Sequence, residues 1–326
     1  MSRFTGDSGD VTPCQAGQKR GCGRLRFHVK GMLEHMYTIE RIRSGGIEVL
    51  KRARVESPEL TADLLIGFVT GLDRVFILSH PEHMLDDDAR RRLNDLVRRR
   101  VRGEPLQYLT GEREFYGRMF RVTPDVLIPR PETEFLVEAA VDLIGKHFPA
   151  AARFVDVGTG SGCIAVSVLR EAPFAFGLAV DCSLAALGIA RENAVRQRVE
   201  RRAAWICGDL LESFIPEECC DLILSNPPYI ARRDYSNLPV EVREFEPDRA
   251  LFGGEDGLEI YRRLIPSSLL RLRAGGYLLL EMGLGQLEAV SRMAEETGFL
   301  PETVVNDLQG IPRCFVARKP FRRMHG

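Results

Sequence analysis

Residues 154–162 have the sequence FVDVGTGSG, in which an apolar segment leads directly into three glycines at alternate positions. A segment with helical character, residues 164–170, follows it. Glycines after a strand let a ligand approach the backbone closely, and the N-terminus of the next helix offers free N–H groups. A dinucleotide-binding loop would need its third glycine at position 163, which is Cys163. The stretch therefore predicts a ligand loop of another type.

Strand-like and helical segments alternate from this point towards the C-terminus. The predicted strands are 154–157, 177–181, 203–207, 221–225, 277–281, 302–307 and 314–318, and the predicted helices include 164–170, 184–198, 257–271 and 286–297. Such alternation favours an α/β domain with a mostly parallel sheet. Ligands of these sheets bind beyond the carboxyl ends of the strands, so the segments after Val157, Val180 and Ser225 are the candidate site.

A second motif, Asn226-Pro227-Pro228-Tyr229, follows the apolar segment 221–225. The Asn226 side-chain oxygen and the Pro227 carbonyl can accept the two N–H protons of a planar amide or amino group. Tyr229 can stack on that plane, and the prolines stiffen the turn and keep its carbonyls out of the strand ladder. We predict Asn226, Pro227 and Tyr229 as catalytic residues, and Pro228 joins them in binding the substrate. Together the two motifs suggest methyl transfer from S-adenosylmethionine to a nitrogen.

Other acidic residues lie at the ends of the next two strands. Asp181 ends the second strand, where its two oxygens can accept both hydroxyls of a ribose; the alternative is that it caps the helix that starts near Ser183. Asp209 and Leu210 follow the third strand. The sequence 158–162, Gly-x-Gly-x-Gly, resembles motif I of class I S-adenosylmethionine-dependent methyltransferases. In that class, an acidic residue in the place of Asp209 typically accepts the adenine amino group, and the next side chain covers the ring.

Residues 37–320 resemble a narrower family, the HemK/PrmC protein-(glutamine-N5) methyltransferases of peptide chain release factors. The segments that carry the resemblance are 102–108, 127–134, 156–162, 226–229, 246–247, 251–258 and 281–283. The resemblance implies a class I methyltransferase with a Rossmann-like seven-stranded sheet, a small N-terminal helical domain and a β-hairpin linker. It implies S-adenosylmethionine as cofactor. It also implies, as substrate, the glutamine of the Gly-Gly-Gln motif in class-1 release factors.

The site residues follow by position within the matching segments. The glutamine would enter at Asn226, Pro227, Pro228 and Tyr229. The implied cofactor residues are Gly158, Thr159, Gly160, Ser161, Gly162, Asp181, Asp209, Leu210 and Asn226. Leu210 is a departure, because relatives often place an aromatic residue there.

The predicted domains cover the chain in five parts. Residues 1–35 are interpreted as a disordered extension, or as an over-long start with Met32 or Met36 as the natural beginning. Residues 36–102 form a helical substrate-docking domain, 103–128 a β-hairpin linker with residues 107–110 and 120–122 as strands, 129–320 the catalytic domain, and 321–326 a tail. Residues 98–100, three arginines, are either a solvated helix end or a docking face for an acidic or nucleic-acid-bearing partner.

Composition narrows the function classes. The formal net charge is −1, so no overall charge attracts nucleic acid, and no apolar run is long enough for a membrane span. The eight cysteines include no CxxC pair, which predicts no metal site and reduced thiols in the cytoplasm. We predict a monomer without stable nucleic-acid binding. Two rival functions stay open, an N6-adenine methyltransferase acting on DNA or RNA and a non-catalytic binding module that retains only the cofactor fold.

Overall fold

The computed structural model describes residues 37–212 and 217–321. The predicted extension, 1–35, and residues 322–326 of the predicted tail lie outside the described residues. The N-terminal part is helical, and its helices are α1 (Ile39–Arg52), α2 (Pro58–Thr70), α3 (Arg74–Ser79), α4 (Asp87–Val101) and α5 (Leu106–Thr110). Their apolar faces enclose a small core of their own, which includes Ile39, Leu50, Leu65 and Leu93.

Helix α4 shows how charge order shapes this part. The Asp86 side chain accepts a hydrogen bond from the Ala89 N–H at 2.7 Å and caps the helix start. At the other end, Arg99 pairs with Glu104 at 2.6 Å and Arg100 pairs with Glu241 at 2.8 Å. Two of the three arginines of the cluster 98–100 are therefore engaged by carboxylates of the chain itself. The Arg100 pair connects α4 to the catalytic part.

A buried carboxylate joins three helices of the N-terminal part. Asp63 of α2 is 1% exposed and forms ion pairs with Arg43 of α1 and, at 3.1 Å, with Arg74 of α3. We expect Asp63→Asn to lower the free energy of unfolding by about 2 kcal/mol, because two guanidinium groups lose their charged partner. The matched control is Glu48→Gln, because Glu48 forms a solvent-exposed ion pair with Arg52 on α1. This substitution should change the free energy of unfolding by less than about 0.5 kcal/mol. Urea denaturation followed by circular dichroism measures both, and equal losses would contradict the assignment.

The linker contains a hairpin of β1 (Glu112–Phe115) and β2 (Arg118–Arg121), paired antiparallel. The interpretation of residues 107–110 as its first strand was wrong, because they form α5. Pro105 sets the start of this helix, and Gly111, with φ 76°, ends it in the left-handed conformation. The Tyr108 hydroxyl donates to the Val126 carbonyl at 2.6 Å, which holds the helix against the linker. These local signals override the strand propensity of tyrosine and threonine.

The catalytic part alternates helices and strands. In chain order they are α6 (Glu134–His147), β3 (Ala152–Val157), α7 (Cys163–Glu171), β4 (Ala175–Asp181), α8 (Leu184–Arg196), β5 (Ala203–Cys207), β6 (Cys220–Ser225), α9 (Arg232–Tyr235), α10 (Val240–Arg243), α11 (Asp248–Leu251), α12 (Glu259–Arg271), β7 (Leu272–Glu281), α13 (Leu287–Thr297), β8 (Leu300–Asn306) and β9 (Pro312–Arg318). Two short 3-10 turns, Pro131–Thr133 and Glu200–Arg202, complete it.

The seven strands form one sheet in the order β5-β4-β3-β6-β7-β9-β8. The first five are parallel, and β9 runs antiparallel to both of its neighbours. A hydrophobic core lies on each face, so the central strands are buried on both sides. The predicted mostly parallel α/β fold, with a helical N-terminal part and a hairpin, is confirmed.

The strand order reverses between β3 and β6, which is where ligands of such sheets bind. Val157 pairs with Ser225 in the register of these two strands. The glycine loop after Val157 and the Asn226 turn after Ser225 therefore start side by side. Within residues 37–212 and 217–321, no helix combines the length and the apolar character that crossing a membrane requires.

Candidate active site

Asp156 fixes the shape of the glycine loop. This carboxylate is fully buried near the end of β3, and its Oδ2 accepts hydrogen bonds from the Thr159 hydroxyl at 2.6 Å and the Ala165 N–H at 3.1 Å. Burial raises the pKa of Asp156 to about 7, and these two hydrogen bonds oppose the increase. The bonds tie the loop to the first turn of α7. They also hold the Thr159 side chain inside the protein, away from the cavity.

Gly158 and Gly160 form the part of the loop that faces the cavity. Their φ angles are 74° and 54°, in the left-handed region that favours glycine. A Cβ atom added at Gly158 would meet nothing within 4 Å, and one added at Gly160 would only approach the Gly158 carbonyl at 4.0 Å. The space in front of both residues is therefore open to a ligand.

Ser161 and Gly162 instead pack the loop against α8. Ser161 is 2% exposed, and its carbonyl accepts a hydrogen bond from Asn193 Nδ2 at 2.9 Å. A Cβ at Gly162 would come within 3.0 Å of the Ala190 Cβ. Glycine is thus needed there for helix packing, and neither residue lines the cavity.

Asp181 at the end of β4 lines the cavity and also organises it. Its Oδ2 accepts from the Gly160 N–H at 2.9 Å, and its Oδ1 accepts from the Ser183 N–H at 2.8 Å. Helix α8 is capped by the Ser183 hydroxyl, which accepts from the Ala186 N–H. Each oxygen of a carboxylate keeps further acceptor capacity for a ligand hydroxyl.

Asp209 and Leu210 lie on the same cavity wall, after β5. The Asp209 Oδ2 accepts from Arg263 Nη2 at 2.6 Å, which holds the carboxylate at the edge of the wall. Leu210 has a φ of 50°, a conformation that costs free energy for a residue with a side chain and that tends to occur at functional sites.

Asn226 and Pro228 line the cavity that Gly158, Gly160 and Asp181 also line. The two turns are joined at their bases, because the Ser225 hydroxyl donates to the Val157 carbonyl at 2.7 Å. One cavity thus brings together seven of the residues predicted from the sequence: Gly158, Gly160, Asp181, Asp209, Leu210, Asn226 and Pro228. Their individual roles stay predictions.

The Asn226 side chain is held by a residue to which the sequence assigned no role. Its Nδ2 donates to the Thr133 hydroxyl oxygen at 3.0 Å. Thr133 is 2% exposed, at the end of the turn Pro131–Thr133. With its nitrogen occupied in this way, the amide has its Oδ1 left as an acceptor.

Pro227 and Tyr229 belong to the same turn but are not among the residues that line the cavity. Pro227 is buried, and no donor in the described part of the chain bonds to its carbonyl oxygen. Burial raises the pKa of the Tyr229 phenol, and the nearby Glu281 carboxylate raises it further, so the ring stays neutral. The Tyr229 carbonyl is fixed by Gln286 Nε2 at 3.0 Å.

Gln286 is a second supporting residue that the sequence did not reveal. Its Nε2 also donates to the Gly257 carbonyl at 3.1 Å, and its Oε1 accepts from the Gly283 N–H at 2.9 Å. One side chain thereby holds the 226–229 turn, the loop before α12 and the loop after β7 together. A lone glutamine outside any motif carries no signal for this role.

Comparisons with known proteins agree with this geometry. Residues 42–111 match the family described as PrmC N-terminal domain, and residues 134–241 match the family described as Methyltransferase small domain. A release factor glutamine methyltransferase from Koribacter versatilis is 42% identical over 284 residues, which cover 87% of this chain and 99% of that protein. The chain belongs to the release factor glutamine methyltransferase family. The resemblance predicted from its sequence segments is confirmed.

Other members of the release factor glutamine methyltransferase family give the same result. The protein from Nitratidesulfovibrio vulgaris is 41% identical over 272 residues, with 83% of this chain and 91% of that protein covered.

Among solved structures, the hMettl16 catalytic domain in complex with MAT2A 3′UTR hairpin 6 aligns with a TM-score of 0.50 at 19% identity, covering 72% of this chain and 82% of that chain. This second likeness concerns the fold alone.

As a member of the release factor glutamine methyltransferase family, the chain is a methyltransferase with S-adenosylmethionine as methyl donor. The residues present fit that cofactor. The open space at Gly158 and Gly160 allows a ligand against the backbone, and Asp181 offers a carboxylate beside it. Across residues 37–212 and 217–321, no three side chains of the metal-binding types are grouped so that they could hold an ion.

Proposed function

We propose that this chain transfers a methyl group from S-adenosylmethionine to the side-chain amide nitrogen, N5, of a glutamine in a release factor. The glutamine would be that of the Gly-Gly-Gln motif in class-1 release factors. The observation that carries the proposal is the single cavity that contains both the glycine loop and the Asn226 turn. Family membership supports the choice of substrate.

When bound, the cofactor supplies an electrophilic methyl carbon on a sulfonium. The task of the chain is to orient a weak nucleophile, because the lone pair of a carboxamide nitrogen is delocalised into its carbonyl. Asn226 Oδ1 accepts a hydrogen bond from one N–H of the substrate amide. The Pro227 carbonyl accepts from the other N–H and the Tyr229 ring packs on the amide plane, although neither residue is among those that line the cavity. Orientation of this kind can supply much of the rate enhancement without a strong base. The methyl–sulfur bond would break to release neutral S-adenosylhomocysteine, and the nitrogen, which becomes acidic once it is methylated, would lose one N–H proton to water.

The cofactor would be held at the residues predicted for it. Gly158 and Gly160 provide close backbone contact, Asp181 accepts the ribose hydroxyls, and Asp209 and Leu210 flank the adenine. The cavity position of all five supports this assignment. Thr159, Ser161 and Gly162 would contribute indirectly, by fixing the loop.

The remaining parts of the proposal concern the setting of the enzyme. We propose a cytoplasmic monomer without stable nucleic-acid binding. The described cysteines are all free, which fits a reducing compartment. The engagement of Arg99 and Arg100 by carboxylates within the chain reduces the positive surface available to nucleic acid.

A methyl-transfer assay with labelled S-adenosylmethionine tests the proposed function. We expect label in a purified class-1 release factor and in no duplex DNA or tRNA. The matched control is the same release factor with its Gly-Gly-Gln glutamine replaced by alanine, which should remain unlabelled, and mass spectrometry locates the added methyl group. Label confined to nucleic acid would favour the N6-adenine alternative and overturn the proposal.

A further inference from the structure

The Glu281 carboxyl group is buried at the end of β7, next to the Asn226 turn. Leu280 pairs with Ser225 in the sheet register, so Glu281 and Asn226 follow from neighbouring positions. Glu281 is 2% exposed, and its Oε2 has no hydrogen-bond partner among the described residues. Burial of a carboxyl oxygen without a hydrogen-bond partner costs folding free energy, which indicates that this group has a role beyond stability.

Thr133 connects this carboxyl group to the site. Its hydroxyl oxygen accepts from Asn226 Nδ2 at 3.0 Å, and the same side chain lies close enough to the Glu281 carboxyl group to lower its pKa. Thr133 and Glu281 are both almost completely buried, so water does not compete for these contacts. Asn226, Thr133 and Glu281 thus form a row of polar side chains, in which the Thr133 hydroxyl stands between the amide and the carboxyl group.

The direction of hydrogen bonding along this row depends on the charge of Glu281. An ionised carboxylate is an acceptor only, and a hydroxyl has a single proton to donate. While Glu281 is ionised, Thr133 donates to it and must accept from Asn226, so the amide keeps its NH2 group towards Thr133. Oδ1 is then the atom left to accept a hydrogen bond from the NH2 group of the substrate amide.

Protonation of Glu281 would reverse the direction in which Thr133 and Asn226 donate hydrogen bonds. A neutral Glu281 can donate to Thr133, which then donates to Asn226 and favours the amide with its oxygen turned towards Thr133. The Asn226 NH2 group would then face the NH2 group of the substrate, donor against donor, and the substrate amide would lose an acceptor.

We propose that Glu281 is a positioning residue that acts through Thr133 to keep the oxygen of the Asn226 amide directed at the substrate. This inference rests on the proposed function, because it assumes that the substrate presents an NH2 group to Asn226. It makes Thr133 and Glu281 part of the orientation of the amide, although neither contacts the substrate.

The surroundings of Glu281 place its titration in an accessible pH range. Burial raises its pKa to about 7, the Thr133 hydrogen bond opposes this, and the charge of Glu132 adds to it. The charges of Arg313 and Arg130 lower the pKa, and neutral titratable groups also face it from the packed elements: Tyr229, Tyr261, Cys163 and Cys314. Since the ionised form is the competent one, kcat should fall as the pH drops below about 7.

The test compares Glu281→Gln with Thr133→Val and Thr133→Ser in the full chain. We expect kcat for methylation of the release factor to be about tenfold lower in Glu281→Gln and Thr133→Val, with KM for S-adenosylmethionine within about twofold of the wild type. Thr133→Ser keeps the hydroxyl and should retain most of the activity. The acid limb of the kcat profile should disappear in Glu281→Gln.

Asp156 is a rival source of the acid limb, since burial raises its pKa to about 7 as well. An acid limb that persists in Glu281→Gln, or equal losses in Thr133→Val and Thr133→Ser, would overturn the inference. Binding of S-adenosylmethionine by each variant shows that the catalytic part is folded. A wild-type protein that methylates no release factor at any pH would instead defeat the proposed function, so the two failures are distinguishable.

Discussion

Asn226→Ala is expected to lower kcat for methylation of the release factor by about 100- to 1000-fold, the range seen when one preorganised polar contact to the reacting group is removed. Alanine removes Asn226 Oδ1, one of the two acceptors proposed for the substrate amide. The dissociation constant for S-adenosylmethionine should rise only modestly, because Gly158, Gly160 and Asp181 are unchanged. Initial rates with labelled cofactor, and titration of the cofactor alone, measure the two effects separately.

An asparagine elsewhere serves as the control for this variant. Asn237 is exposed between α9 and α10 and does not line the cavity. Asn237→Ala should leave kcat within about twofold of the wild type. Near-normal turnover in Asn226→Ala would remove Asn226 from the mechanism, whatever the control shows.

Gly257→Ala should produce the second large effect, a loss of about 100-fold in kcat, although Gly257 does not line the cavity. Its φ is 79°, and a Cβ there would overlap the Tyr229 carbonyl oxygen and lie 2.9 Å from Gln286 Nε2. The added methyl group must displace Tyr229 or break the contact with Gln286. Either movement shifts the turn that orients the substrate amide. Steady-state kinetics with the release factor as variable substrate measures the loss.

Gly310→Ala separates this steric effect from backbone strain. Gly310 has a φ of 80°, almost the same as Gly257, but a Cβ there would meet nothing within 4 Å. Both variants carry the cost of an alanine in the left-handed region, on the order of 1 kcal/mol in stability. Only Gly257→Ala should lose activity strongly, and similar kinetic losses in both would show that the contact with Tyr229 is unimportant.

The sequence located the main features of the site because parallel strands place their carboxyl ends at one edge of the sheet. Gly158 and Asn226 directly follow apolar segments and so indicate where the chain leaves the sheet. The register of Val157 with Ser225 brings these two positions together. Asp181 was predicted for the same reason. Such positions can be inferred from local patterns, because the parallel topology of the sheet places the ends of these strands at the same edge.

The supporting contacts could not be predicted in this way. The Asn226–Thr133 hydrogen bond spans 93 positions and the Gln286–Tyr229 hydrogen bond spans 57. No periodicity or spacing links such pairs, and hydrogen-bonding side chains of these types occur throughout the chain. The matching family segments contain Thr133, but they name no partner for it.

The error at residues 107–110 has a local cause. Tyr108 and Thr110 favour strands, yet the helix is set by Pro105 before it and by Gly111 after it. A short segment between such signals is ambiguous from propensity alone. Thr159 and Ser161 illustrate a related difficulty, because a loop motif does not reveal which of its side chains turn inward.

The central position of β3 and β6 also governs how the enzyme should lose its function on heating. Both halves of the site extend from strands that are buried on both faces. Such strands belong to the last cooperative unit of a domain to open. Catalytic competence should consequently persist until the sheet itself melts, while the surface helices fray earlier without silencing the enzyme.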